Sequence, residues 1–323
     1  MEKGISLKRK YLDQALKNSI LLISLLFIIA ISLLSNKFLT IPNFLNIFLT
    51  MSTTLLFCIG MSYTVITKGI DLSVGAIAYF SIAVGSRAIR AGWDIPMTIV
   101  VIILVGAFVG AINGLITVTL KIYPLLSTLA MTYILKGLSL TVLNGNSFKL
   151  DESWNVLSAT ELLGIRLPII VALIFLIMAQ IVLARTSFGR WVTAVGDNEK
   201  TAKEKGINVA AVKFSVYVIS GIMSTIAGLF LVSRVTMIPT TLGQGADFTA
   251  IIAAVIGGIS LTGGKGSIFP GVLIGTFIIS MVSNGLMLMK TSPMVFDIAN
   301  ALLVLIVIVL DTVRSNREAA KLH

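Results

Sequence analysis

The chain has 323 residues, 56% of them hydrophobic and only 12% charged, with a mean hydropathy of +1.00. A soluble globular domain carries about 25% charged residues, so burial in water is excluded and lipid is the solvent this composition requires. The formal charge of +11 does not indicate nucleic acid, because the basic residues lie between apolar runs and not in a stripe with aromatics. A single cysteine, Cys58, and a single histidine, the terminal His323, exclude a disulfide framework, a Cys/His metal cluster and Ser-His or Cys-His catalysis within the membrane.

From the N-terminus, "MEKGISLKRKYLDQALKNS" precedes an apolar run at 20–35. No A-x-A-like cleavage site follows, so the run reads as an uncleaved first span with a cytoplasmic start. Spanning helices need about 20 mostly apolar residues. The runs at 19–36, 43–66, 72–86, 95–120, 123–143, 166–184, 212–233, 248–262, 267–289 and 294–312 are the predicted spans. Pro42, Pro96, Pro124, Pro168, Pro270 and Pro293 fall at or near their starts, where a missing N–H costs least.

Ten spans return the C-terminus to the side of the N-terminus. In that arrangement 17 of the 25 lysines and arginines fall in inner segments, with Arg87 and Arg90 the main exceptions. Positive charge inside sets orientation, so both termini are predicted to be cytoplasmic. The expected fold class is an all-α polytopic membrane protein of about ten transmembrane helices. It reads as one permease domain over 1–323, with cytoplasmic segments at 1–18, 185–211 and 313–323.

The two halves share landmarks. "DLS" at 71, Pro96, "NGL" at 113 and "KIYPLLSTLA" at 121 are followed in the same order by "DFT" at 247, Pro270, "NGL" at 284 and "KTSPMVFDIA" at 290. Five spans per half give the halves opposite directions, the signature of two inverted five-helix repeats. The segments 72–86 and 248–262 are short, rich in Gly, Ala and Ser, and each follows an Asp able to cap a helix. Matching short segments in inverted halves indicate a substrate route, and small residues serve close helix packing equally well. Asp71, Ser73, Gly75, Asn113, Asp247, Gly257, Gly258 and Asn284 are the candidate route residues.

"GGISLTGGKGS" at 257–267 is not a phosphate loop. Counting back from Lys265, the first glycine position holds Ile259, and Gly266 stands where Ser or Thr is needed. A tight turn between two spans is predicted instead. Charge within spans is sparse: Asp297 and Lys136 inside, Asp71, Asp247 and Arg234 at edges. An ion-coupled transporter places acids or a relay near the midplane, so energy is expected from another source. The polar segment "RTSFGRWVTAVGDNEKTAKEKGINVAAVKF" at 185–214 offers one. Asp197 or Asn198 can cap a helix over about 198–205, and Gly206 can end it. Such a helix is either a docking surface for a motor subunit or a solvated connector.

"GIDLSVGA" (69–76), "SFGRWVTAVGDNEKTAKEKGINV" (187–209) and "IAAVIGGISLTGGKGS" (252–267) resemble the ribose-type monosaccharide permeases of bacterial ATP-binding-cassette importers, over about residues 20–312. The resemblance implies an ATPase-coupling loop here, with Gly189, Arg190, Gly196, Asn198, Ala202, Gly206 and Ile207 in the matching positions. Thr201 and Asp197 depart from the usual Ala and Gly, and Leu125 and Leu126 from the usual Phe and Ile. It further implies a second permease copy or close paralogue, a cytoplasmic ATPase subunit, a periplasmic or lipid-anchored sugar-binding protein, membrane lipid around the chain, and a bacterial inner-membrane location. No cofactor, metal, nucleic acid or catalytic residue is implied. The alternatives are a branched-chain amino acid or nucleoside permease, and a stand-alone secondary transporter.

Overall fold

Prolines and short polar side chains set where the helices begin. In the computed structural model, which describes residues 29, 31–33, 35–290, 298, 302 and 305, α1 runs Ile41–Ile66 and α2 Val74–Arg90. Then come α3 (Ile95–Leu115, extended by a π-helical turn to Leu120) and α4 (Pro124–Val142). A polar stretch with a short helix α5 (Val156–Ala159) leads to α6 (Leu167–Arg185), α7 (Ser187–Asp197), α8 (Glu199–Glu204) and α9 (Val209–Val235). The last described helices are α10 (Ala246–Ile256) and α11 (Leu273–Leu288), the latter preceded by a kinked turn from Ile268 in which Phe269 is extended. Pro42, Pro96, Pro124 and Pro168 each lie in a first turn, and Asp94 caps α3 by accepting from Met97 N at 3.1 Å.

The chain is therefore helical and polytopic. Among the described residues six segments are long and apolar enough to cross a bilayer: Ile41–Ile66, Ile95–Leu120, Pro124–Val142, Leu167–Arg185, Val209–Val235 and Ile268–Leu288. The predicted span 19–36 and the span 294–312 with Asp297 lie almost wholly outside the described residues. The two short segments, alike in the sequence, differ here. α2 has 17 residues and α10 only 11. At 1.5 Å per residue α10 is about 16 Å long, roughly half the hydrocarbon thickness.

Neither aspartate caps its helix as predicted. Ser73 holds the N-cap position of α2, and Asp71 sits two residues earlier, accepting from Ser73 N at 3.0 Å. α10 starts after Gly245, and Asp247 lies inside its first turn. The Asp71 carboxylate is drawn away by a tertiary partner, described below.

The contacts divide the described residues into two compact units, Leu49–Thr276 and the described residues before and after it. In the smaller, Ile31, Phe38, Ile47 and Met281 form an apolar cluster. There Asn43 and Asn284 exchange two side-chain hydrogen bonds, at 2.8 and 3.0 Å.

In the larger, α3 lies against α9 along glycines one turn apart. A Cβ on Gly106 would come within 2.0 Å of Thr225 Cγ2, one on Gly110 within 2.4 Å of the Tyr217 carbonyl, and one on Gly114 within 3.0 Å of Phe214 Cα. Backbones this close are what small residues at a four-residue spacing permit in membranes. α2 packs on both helices and on α4.

At the end of this unit away from α7 and α8, Phe148–Lys149 pairs antiparallel with Met237–Ile238. Trp154, Leu150 and Ile238 pack there with Tyr79, Ile82 and Val232. Asp151 accepts from Ser153 N at 2.9 Å, which holds its carboxyl below the usual carboxylate range. Arg87 and Arg90, the exceptions to the charge bias, have partners at this end. Arg87 donates to the Val142 carbonyl at 2.8 Å, and Arg90 lies 4.7 Å from the Phe148 ring centroid.

Candidate functional site

One residue ends α6 and starts α7. Thr186 is extended, donates its hydroxyl to the Val182 carbonyl at 2.6 Å, and accepts from Gly189 N at 3.2 Å. α7 is amphipathic: Gly189, Val192, Val195 and Gly196 are buried, while Arg190 and Trp191 are exposed. The helix turns sharply into α8 at Asn198, an extended residue whose side chain accepts from Thr201 N at 3.0 Å. Asn198, not Asp197, is thus the cap.

Two bonds end α8. Gly206 N donates to the Lys203 carbonyl at 3.0 Å and Ile207 N to the Ala202 carbonyl at 3.1 Å. With Gly206 at φ +80, this is a Schellman closure, which requires a left-handed residue at that position. Ala202 is buried beneath α8, and the Lys213–Glu199 ion pair ties α8 to α9. The helix over 198–205 is present where its signals placed it. A further helix, α7, precedes it.

Backbone-to-backbone contacts hold this pair in place. A Cβ on Gly189 would fall 2.1 Å from the Leu183 carbonyl, and one on Gly196 only 1.7 Å from the Ile66 carbonyl and 2.6 Å from Gly264 N. The Ile66 carbonyl accepts from Gly264 N at 2.9 Å, and Lys68 Nζ donates to the Asp197 carbonyl at 2.9 Å. The glycine turn at 257–266 therefore meets α7 and the end of α1 at one point. Gln180 of α6 fastens the far side, its Oε1 accepting from Ile268 N at 3.0 Å and Phe269 N at 2.9 Å. Tyr63 of α1 donates to the Ala179 carbonyl at 2.7 Å. α7 is thus joined by direct contacts to the end of α1 and to the turn between α10 and α11, and α6 to the segment that follows that turn.

Beside α8 lies a cavity of about 870 Å³, bordered by Lys121, Tyr123, Lys200, Lys203 and Lys213. The expected coupling residues Gly189, Arg190, Gly196, Asn198, Ala202, Gly206 and Ile207 thus share one local structure with two roles. Gly189, Gly196 and Ala202 face inward; Arg190, Asn198 and Gly206 are exposed.

The candidate route residues divide differently. Asp71, Ser73 and Asn113 are brought together and are fully buried. Asn113 Nδ2 donates to Ser73 Oγ at 2.8 Å, and Ser73 Oγ to Asp71 Oδ1 at 2.5 Å. Gly75 meets Gly243, where a Cβ would lie 2.0 Å from the Gly243 carbonyl. Gly257 abuts Gly271 in the same manner, Gly258 is exposed, and Asp247 is half-buried within the electrostatic reach of Lys136. Asn284 belongs to the other unit.

Sequence reasoning missed α7, Gln180 and the Gly106, Gly110, Gly114 seam. The seam had a readable signal, its four-residue spacing. Gln180 had only its polarity within an apolar run.

The sequence model of the family described as branched-chain amino acid transport system / permease component matches residues 43–310. The chain is 33% identical to the ribose import permease protein RbsC of Haemophilus influenzae, covering 90% of this chain and 91% of that one. It is 31% identical to the autoinducer 2 import system permease protein LsrC of Photorhabdus luminescens, over 87% and 85% of the two chains. To the fructose import permease protein FrcC of Rhizobium meliloti it is 34% identical, over 78% and 72%. No solved structure matches it.

Proposed function

Because the chain belongs to the family described as branched-chain amino acid transport system / permease component, we propose that it is the membrane-spanning permease subunit of an ATP-binding-cassette importer for a monosaccharide or related small solute. The observation that carries this reading is near-full-length similarity to ribose and fructose import permeases. The chain is a multi-pass membrane protein, and the proposal places it in the bacterial inner membrane. A separate cytoplasmic ATPase subunit supplies the energy. A second copy or paralogue completes the route, and a periplasmic or lipid-anchored binding protein delivers the solute. The permease itself makes no covalent chemistry and needs no cofactor.

The finer topology belongs to the same proposal: ten spans as two inverted five-helix repeats in one permease domain, with 1–18, 185–211 and 313–323 cytoplasmic. The charge bias supports it. So does a local match between the halves: Lys121 and Lys290, the paired landmarks, both adopt left-handed backbone, at φ +51 and +52. The ATPase grips the exposed face of α7 and α8. Its closure on ATP moves α1, α6 and the glycine turn through the contacts at Ile66, Gly196 and Gly264, and the route alternates between its two openings. Asp247 and Gly258 line that route, while Asp71, Ser73, Gly75, Asn113, Gly257 and Asn284 hold its walls.

Branched-chain amino acids are the second reading, favoured only by the family's description. Uptake of a panel of labelled sugars and amino acids, in cells with and without ATP hydrolysis by the partner ATPase, decides between them. Uptake that persists without hydrolysis would sink the importer and leave a stand-alone transporter. For topology, Lys203→Cys in a chain lacking Cys58 should resist a membrane-impermeant maleimide on intact cells and react once the cells are opened. Labelling of intact cells would reverse the orientation.

A further inference from the structure

Asp71 is fully buried, and among the described residues no lysine or arginine forms an ion pair with it. Three donors reach its carboxylate: Ser73 N at 3.0 Å and Ser73 Oγ at 2.5 Å on Oδ1, and Ser220 Oγ at 2.7 Å on Oδ2. Donors of this kind favour the ionised form. They are neutral, however, and an ionised carboxylate with no counter-charge is costly in an apolar interior.

Around it stand oxygens that lack partners. Asn113 gives its amide N–H to Ser73, and its Oδ1 accepts nothing. Thr117, one turn further along the same helical stretch, has an unpaired hydroxyl. Tyr217, one turn before Ser220 on α9, has another, pressed against Gly69 and within reach of the Asp71 charge. The Thr117 and Tyr217 hydroxyls are neighbours, yet they form no hydrogen bond of good geometry with one another. Asn113 and Tyr217 are no more than 1% exposed. Buried polar groups rarely go unpaired, and a cluster of three calls for an occupant.

We infer that Asp71, Asn113, Thr117 and Tyr217 form a binding site for a monovalent alkali-metal cation, for which sodium is the probe. One negative charge is neutralised by one positive charge. The three unpaired oxygens are hard donors of the kind that bind alkali and alkaline-earth ions and not transition metals. A divalent ion would need further carboxylates, and no cluster of three acidic, His or Cys side chains exists among the described residues. A proton on Asp71 would neutralise the charge but leave the Asn113 oxygen without a donor. The ion is a resident one: its ligands come from the segment before α2, from α3 and its π-helical extension, and from α9, and it pins these elements together. This site goes beyond the importer reading and stands or falls without it.

The test uses the purified full-length permease in detergent, titrated with sodium chloride against choline chloride at constant ionic strength. Thermal unfolding and sodium-23 NMR line broadening are both recorded. The expected result is a saturable, sodium-dependent rise in Tm of about 2–5 °C at ten times Kd, with broadening that competes with added unlabelled lithium or saturates with protein. Both signals should vanish in Thr117→Val and in Asn113→Leu. Should Asn113→Leu not fold, Thr117→Val removes one ligand with little change of shape. An equal response to choline, a response that follows pH and not sodium, or full retention in both variants would overturn the site and leave water as its occupant. Solute uptake plays no part in the readout, so failure of the importer reading would leave this result intact.

Discussion

The segments beginning at Asp71 and Asp247 share sequence landmarks and part company in three dimensions. Asp71 precedes a 17-residue helix and is sealed in a knot of hydroxyls and an amide. Asp247 lies in the first turn of an 11-residue helix, half-buried, with the positive end of the helix dipole to stabilise it. α2 runs on to arginines anchored at the far end of its unit. α10 stops early and gives way to the glycine turn that touches α7. α2 meets the turn before α10 at Gly75 and Gly243, where backbone lies on backbone. The two landmark segments thus sit in different settings: one fastens the helices around it, the other leads into the turn that touches α7.

The largest expected effect comes where the turn after α10 meets α7. Gly196→Val places a Cβ where the Ile66 carbonyl now sits, with Gly264 N on the other side. All the obstructing atoms are backbone, so nothing can swing aside. Overpacking of this kind costs about 1–3 kcal/mol, and the Gly264–Ile66 hydrogen bond is lost with it. Uptake should fall to background and ATPase co-purification should drop, while Trp191→Ala on the exposed face should lower co-purification alone. Unchanged uptake in Gly196→Val would show that the turn and α7 move independently.

The comparison itself is sharpened by making the same change twice. Asp71→Asn replaces an acceptor of three hydrogen bonds by an amide that must point its NH₂ at one of those donors. The expected loss is about 1–3 kcal/mol, the range for a buried polar group left unsatisfied. Asp247→Asn gives up a helix-terminal charge in a half-buried place and should cost about 0.3–1 kcal/mol. Thermal unfolding of the two purified variants measures both. Equal losses would mean that the two halves use their aspartates alike.

How much of this was legible follows from the range of each contact. Caps and starts are local: Asp94 with Met97, Asn198 with Thr201, and the prolines of α1, α3, α4 and α6 all lie within a few residues of what they control. The role of Asp71 was not local. An Asp just before a helix reads as a cap, and only Ser220, 149 residues away, and the Ser73 beside it reveal a buried acceptor. The glycine turn at 257–266 was legible as a turn. Its contact with Ile66 and Gly196 was not, because a glycine shows that something comes close without showing what. α7 escaped although Gly189, Val192, Val195 and Gly196 recur at helical spacing, because it follows α6 after the single residue Thr186 and no loop marks its start.

The last test lies at the end of α8, and it separates coupling from packing. Gly206 is left-handed at φ +80, and a Cβ there would meet nothing within 4 Å. Substitution therefore brings backbone strain alone, about 1–2 kcal/mol for an L-residue held in that region, and more for a β-branched one. Asn198→Ala at the other end removes one capping bond, worth about 0.5–2 kcal/mol. Neither position lies in a membrane-crossing segment, so insertion should proceed and the protein should reach the membrane in normal amounts. What suffers is the geometry of a six-residue helix that two caps define. If that helix is gripped by the ATPase, Gly206→Val should abolish uptake and solute-stimulated ATP hydrolysis, with Asn198→Ala intermediate and Gly206→Asn close to normal, since Asn tolerates left-handed backbone. The order Asn, then Ala at the cap, then Val is the signature of helix geometry. A uniform loss across all three, at normal membrane abundance, would place the sensitivity in the side chains themselves and not in the closure of α8.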